Sequence, residues 1–117
     1  MSVVDDDESV RESLPDLLTE FGYAARAFAS GAEFLASDVL DQTQCLILDI
    51  AMPGMSGPDL QSELAQRGLT FPVIFITATG DQALRSLLLA NGAAGYLLKP
   101  FKESELRSAL NAVLAQD

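Results

Sequence analysis

The short apolar run Val3-Val4 ends in three consecutive carboxylates, Asp5, Asp6 and Asp7, with Glu8 behind them. Like charges repel at that spacing, and carboxylates at the mouth of a buried strand lose hydration, so the cluster has the composition of a cation site. Further on, "CLILDI" (45–50) is apolar up to Asp49, "PVIFIT" (72–77) ends in Thr77, and "GYLL" (95–98) runs into Lys99-Pro100. Each of these residue types has a role in phosphoryl transfer to a carboxylate. Two or three carboxylates can hold Mg²⁺, which prefers oxygen ligands and completes its octahedron with water, a carbonyl and phosphate oxygens. Asp49 can serve as the nucleophile and form an aspartyl-phosphate. Lys99 and Thr77 can bind the phosphoryl oxygens, whose spread charge is stabilised by fixed cations and donors.

Taken singly, each residue has an ordinary explanation. Acids are favoured in the first turn of a helix, Asp49 could be a loop acid, Lys99 a surface lysine and Thr77 a β-branched strand residue. Jointly those explanations require four coincidences at one sheet edge, because open α/β sheets bind ligands beyond the carboxyl ends of their strands. Cys45 reads as a small buried hydrophobe, and Met52 and Met55 as loop packing.

The elements that must position these groups alternate along the chain. Val10, Leu14, Leu17, Leu18 and Phe21 fall on one helical face closed by Gly22, with Pro15 expected to kink the helix or weaken its first turns. Residues 23–28 read as a weak strand. Ser30 and Glu33 have capping-box spacing for a short helix through about Val39. Strands at 45–50, 72–77 and 95–98 are separated by a helix from a Ser56 cap to near Gly68 and another over about 81–91. A final helix carries Leu106, Leu110, Val113 and Leu114 on one face. Strand and helix repeated five times imply an α/β domain, a doubly wound parallel sheet covered by helices on both sides.

With 117 residues, 49% of them hydrophobic, and no interrupting linker or repeat, the chain reads as one domain over residues 1–117. No apolar run approaches the roughly 20 residues that cross a bilayer, no secretory signal is visible, and a single cysteine allows no internal disulfide. A cytoplasmic protein without membrane contact is the expectation. Seventeen acids against seven bases, a net charge of -10, oppose direct contact with nucleic acid. The absence of histidine excludes phosphohistidine carriers and Ser-His or Cys-His nucleophiles within this chain.

The segments "VVDDDESVR", "LILDIAMPGMSG", "VIFITATGD" and "GYLLKPF", in that order and over essentially the whole chain, resemble the receiver domain of bacterial two-component response regulators, most closely the FixJ-like, LuxR-type branch. The resemblance implies a flavodoxin-like (CheY-like) (βα)5 fold with strand order 2-1-3-4-5 and phosphorylation of Asp49 by a histidine kinase. It makes Asp5 and Asp6 the acidic pair for Mg²⁺, with Asp6 the more direct ligand, and adds the backbone carbonyl of Ala51. Thr77 becomes the switch hydroxyl, Lys99 the phosphoryl-binding lysine and Tyr96 the switch aromatic, and the Lys99-Pro100 bond is expected to be cis. Such a domain is a signalling switch, catalysing only its own phosphorylation and dephosphorylation. Asp7 is expected to face solvent and open the first helix.

Two other functions are open to these residues. A phosphatase of the haloacid-dehalogenase kind also uses an aspartyl-phosphate, but places a second acid two residues after the nucleophile, where this chain has Ala51. A receiver-like module that binds without taking phosphate would not need the intact set of Asp6, Asp49, Thr77 and Lys99. The fourth helix, with Leu84, Leu87, Leu88 and Leu89, is too apolar for one buried stripe, so Leu84 or Leu87 should remain near solvent. With the resemblance, this places a possible homodimer contact on the fourth helix, fifth strand and fifth helix. The chain stops at Asp117, soon after its last helix and without room for a DNA-binding domain, so the expectation is either a protein that works alone or a piece cut from a longer one.

Overall fold

The structure, a computed structural model, describes residues 1–78 and 80–114; the last three residues of the 1–117 domain assignment lie outside the described residues. Five parallel strands, β1 (Ser2–Val4), β2 (Arg26–Phe28), β3 (Leu46–Asp49), β4 (Val73–Thr77) and β5 (Gly95–Leu98), form one sheet in the order β2-β1-β3-β4-β5. Between and after them run α1 (Glu8–Glu20), α2 (Gly31–Leu35), a 3₁₀ turn (Leu40–Gln42), α3 (Gly57–Gln66), α4 (Gln82–Ala90) and α5 (Glu103–Leu114). This is the doubly wound order expected from the sequence.

The central strands are apolar on both sides because both sheet faces are covered. Val4, Leu46, Leu48, Val73 and Phe75 pack with Phe34 of α2, Leu60 and Leu64 of α3 and Leu88 of α4. On the other face Val3, Ile47, Ile74, Ile76 and Leu97 pack with Leu14 and Leu18 of α1 and Leu106 and Leu110 of α5. Each such fully buried aliphatic side chain contributes about 1.5–3 kcal/mol. The alternation of Leu46, Ile47 and Leu48 between the two layers therefore locks the register of β3.

Helix starts follow their caps. Asp7 caps α1 by accepting from the Ser9 N–H, Ser30 caps α2, and Ser56 and Asp59 form a reciprocal capping box on α3. Asp81 caps α4 by accepting from the N–H groups of Ala83 and Leu84. α1 is continuous through Pro15, which has no N–H to give the Arg11 carbonyl. Two expectations change. α2 ends at Leu35 rather than near Val39, where the Ser37 hydroxyl donates to the Phe34 carbonyl at 2.7 Å and the 3₁₀ turn takes over. β2 is confined to Arg26–Phe28 because β1, its only neighbour among the described residues, offers three residues to pair with. Lys99-Pro100 is cis, as expected.

Candidate phosphoryl-transfer and metal site

Register brings the chemistry together. Val4 pairs with Leu48, so the next residues of those strands, Asp5 and Asp49, emerge side by side at the carboxyl edge. Asp49 pairs with Ile76, one residue before Thr77. The Lys99 N–H donates to the Thr77 carbonyl at 2.6 Å, which ties the chain leaving β5 to the end of β4. Asp5 is fully buried, Asp49 and Thr77 nearly so, and Asp6 is exposed.

Asp5, Asp6 and Asp49 each offer a carboxylate oxygen, and the three oxygens lie within 4.8 Å of one another. Such a set of hard oxygen donors, one of them open to solvent, fits a divalent cation of the Mg²⁺ class. The Lys99 ammonium lies 2.7 Å from Asp5 Oδ2 and 3.7 Å from Asp49 Oδ1. Asp5 Oδ2 is buried, and the Lys99 ammonium is its ion-pair partner.

The charges shape one another. Burial, and after it the negative charge of Asp5, raises the Asp49 carboxyl to about 7, with Lys99 pulling it back. Burial works against the Lys99 ammonium, but the close approach and charge of Asp5 and the charges of Asp49 and Asp7 outweigh it and raise its pKa. The site gathers crowded acids around the Lys99 ammonium. The Cys45 thiol, which burial pushes up to about 11, is inert packing.

The remaining residues named from the sequence sit around this cluster. Ala51 follows two residues after Asp49 in the β3–α3 loop and is exposed. Tyr96 lies within β5, half-buried against the α2–α3–α4 layer, with the Arg85 guanidinium 5.8 Å from its ring centre. Of the α4 leucines, Leu88 is buried and Leu84 half-buried, whereas Leu87 and Leu89 are 57% and 41% exposed. Leu98 of β5, which the sequence did not single out, adds a further exposed apolar group at 46%.

Two residues at the site escaped the sequence reading. Gly57 donates its N–H to the Ile50 carbonyl at 2.9 Å, and a methyl group on its α-carbon would overlap the Asp49 carbonyl oxygen and crowd the Phe75 ring. Its signal, a glycine directly after the Ser56 cap, read only as a chain break. Arg11, one turn into α1, donates to the Asp5 carbonyl at 3.1 Å, and its signal is the helical reach back to the acidic loop.

The sequence profile of the response regulator receiver domain matches residues 1–111. The chain is 43% identical over 115 residues to nodulation protein W of Bradyrhizobium diazoefficiens, covering 98% of this chain and 51% of that protein. It is 40% identical over 114 residues to the transcriptional regulatory protein FixJ of Azorhizobium caulinodans, covering 97% and 54%. A response regulator receiver protein from Burkholderia phymatum superposes with a TM-score of 0.81 at 45% identity, covering 97% and 93%. The chain thus spans about half the length of the curated relatives it matches.

Proposed function

Because this chain belongs to the response regulator receiver domain family of two-component systems, in its FixJ-like branch, we propose that its switch is the Mg²⁺-dependent phosphorylation of Asp49. The observation that carries the reading is the buried Asp49 carboxylate gathered with Asp5, Asp6 and Lys99 at one sheet edge. An Asp49 oxygen attacks phosphorus, and the bond to the donor breaks. With a histidine kinase as donor that is a P–N bond, and its electrons return to the imidazole, which takes up a proton. Asp5, Asp6 and Asp49 would hold the metal, together with the Ala51 carbonyl. Mg²⁺ held there would supply positive charge that offsets the charge of the phosphoryl group. Lys99 moves its ammonium onto those oxygens, and Thr77 supplies a hydroxyl donor to them.

The readout of this switch is the α4–β5–α5 surface. Thr77 drawn toward phosphate pulls the β4–α4 segment, Tyr96 turns inward, and the face carrying Leu87 and Leu98 becomes the contact of a homodimer. Ala51, where a haloacid-dehalogenase phosphatase has its second acid, supports a switch over a turnover enzyme. Among the described residues no helix is long and apolar enough to cross a membrane, which supports a cytoplasmic location. The domain itself, residues 1–117, acts without touching nucleic acid in this reading.

Treatment with acetyl phosphate and Mg²⁺ should add one labile phosphoryl group to the intact mass, and the gain should vanish in Asp49→Asn or in EDTA. An adduct that persists in Asp49→Asn would sink the assignment.

A further inference from the structure

Asp5 is held at nearly every hydrogen-bonding position it has. Its N–H donates to the Phe28 carbonyl of β2 at 3.1 Å, its Oδ1 accepts from the Asp7 N–H at 2.9 Å, and its carbonyl accepts from Arg11 Nη1 at 3.1 Å. What remains is Oδ2, the buried atom that faces Lys99. The Arg11 bond is the one made by a partner's side chain, and so the one that substitution can remove without touching the backbone. It is also placed to do more than hold Asp5. The Asp5 carbonyl and the Asp6 N–H share one rigid peptide plane, so fixing the first fixes the plane from which the Asp6 residue branches. Asp6 is exposed, so packing does little to direct it.

We propose that Arg11 is a positioning residue for the acidic site: its guanidinium clamps the Asp5–Asp6 peptide and thereby holds the two carboxylates in the arrangement that takes up a divalent cation. The proposal rests on the Mg²⁺ reading above. Arg11 spends its bond on a carbonyl, not on a carboxylate, which marks it as a clamp and not as the neutralising partner of the acids. Its positive charge by itself opposes entry of another cation. Clamp and charge therefore act in opposite directions on metal affinity. Removing the guanidinium tightens Mg²⁺ binding if only its charge matters, and weakens it if the clamp dominates.

Mg²⁺ titration of the unphosphorylated protein by calorimetry, on wild type, Arg11→Met, Arg11→Lys and Arg67→Met, separates the two. Arg67 lies at the exposed end of α3, paired with Glu63, and its substitution removes the same charge far from the site. Arg11→Met is expected to weaken Mg²⁺ about tenfold, and Arg11→Lys at least as much, because an ammonium keeps the opposing charge but not the fixed fork. Arg67→Met should stay within about twofold of wild type. Phosphorylation by acetyl phosphate in Arg11→Met should need more Mg²⁺ for half its maximal rate while the rate at saturating Mg²⁺ is retained. Unchanged or tighter Mg²⁺ binding in Arg11→Met overturns the proposal. Should Arg11→Met fail to fold, Arg11→Lys decides alone, with wild-type affinity counting against the clamp. A wild-type protein that binds no Mg²⁺ overturns the metal reading itself and takes the clamp with it.

Discussion

Lys99 sits closer to Asp5 than to Asp49, 2.7 Å against 3.7 Å, so the lysine pairs first with the buried acid that follows β1 and only second with the acid that ends β3. Asp5 is fully buried and Lys99 only 18% exposed at its side chain. Deleting one partner of such a pair strands the other. Lys99→Ala is expected to lower stability by about 2–4 kcal/mol in EDTA. Excess Mg²⁺ should restore most of that loss, since it supplies positive charge to the same carboxylates. Urea unfolding under both conditions measures this, and an equal loss with and without Mg²⁺ would show that Lys99 and the metal do not share a site.

Asp49 has the opposite thermodynamic sign from an ordinary surface acid. Its carboxyl is raised from 3.8 to about 7 in the folded protein, so folding takes up a proton between about pH 4 and pH 7. Stability from this group is complete below pH 4, declines as pH rises through 7, and is lost above. Asp49→Asn, which cannot ionise, should raise the metal-free melting temperature by several degrees at pH 8 and by much less at pH 5. A gain of the same size at both pH values would mean that Asp49 is not the titrating group.

With Asp49 as the proposed phosphoacceptor, the same ionisation governs its reaction, because only a carboxylate attacks phosphorus. With Mg²⁺ well below saturation, the acetyl phosphate reaction should accelerate as pH rises through about 7. At saturating Mg²⁺ the midpoint should move to lower pH, since a cation beside Asp49 favours its charged form. Rates followed by intact mass across pH 5–9 at two Mg²⁺ concentrations provide the comparison. A midpoint indifferent to Mg²⁺ would separate Asp49 from the metal.

Gly57→Ala forces a methyl group against backbone and an aromatic ring, none of which is a flexible side-chain end. It should cost about 1–3 kcal/mol in urea unfolding. Because the overlap falls on the Asp49 carbonyl, phosphorylation should also slow at temperatures where the variant is fully folded. A stable variant with wild-type phosphorylation would show that the β3–α3 loop can move away from Asp49 freely.

Leu87 is the most exposed of the large apolar side chains on α4. Sedimentation with beryllofluoride as phosphoryl mimic should show a dimer in the wild type, and Leu87→Glu should weaken it at least tenfold without changing phosphorylation of Asp49. Thr77→Ala should accept phosphate yet gain little dimer. If Leu87→Glu dimerises like wild type, the contact lies on another face.

Much of this site was legible in the chain alone. Bursts of four to six apolar residues between caps and glycines specify alternating strands and helices, because both sheet faces must be covered and each cap names a helix start. One-to-one parallel pairing then carries strand-end residues to a common edge, so Asp5, Asp49, Thr77 and Lys99 could be assembled from their places in the sequence. The tertiary structure decided what depends on rotation, reach and clearance. Whether Leu84, Leu87 or Leu89 faces solvent follows from how α4 is turned on the sheet, and a run of neighbouring leucines permits several rotations of similar hydrophobic energy. Lys99 lies within reach of two acids, and its preference for Asp5 is a balance of distance and burial that no spacing encodes. Gly57 and Arg11 matter through contacts with backbone atoms of Asp49 and Asp5, and such contacts exist only once the loops have closed over the ends of the strands.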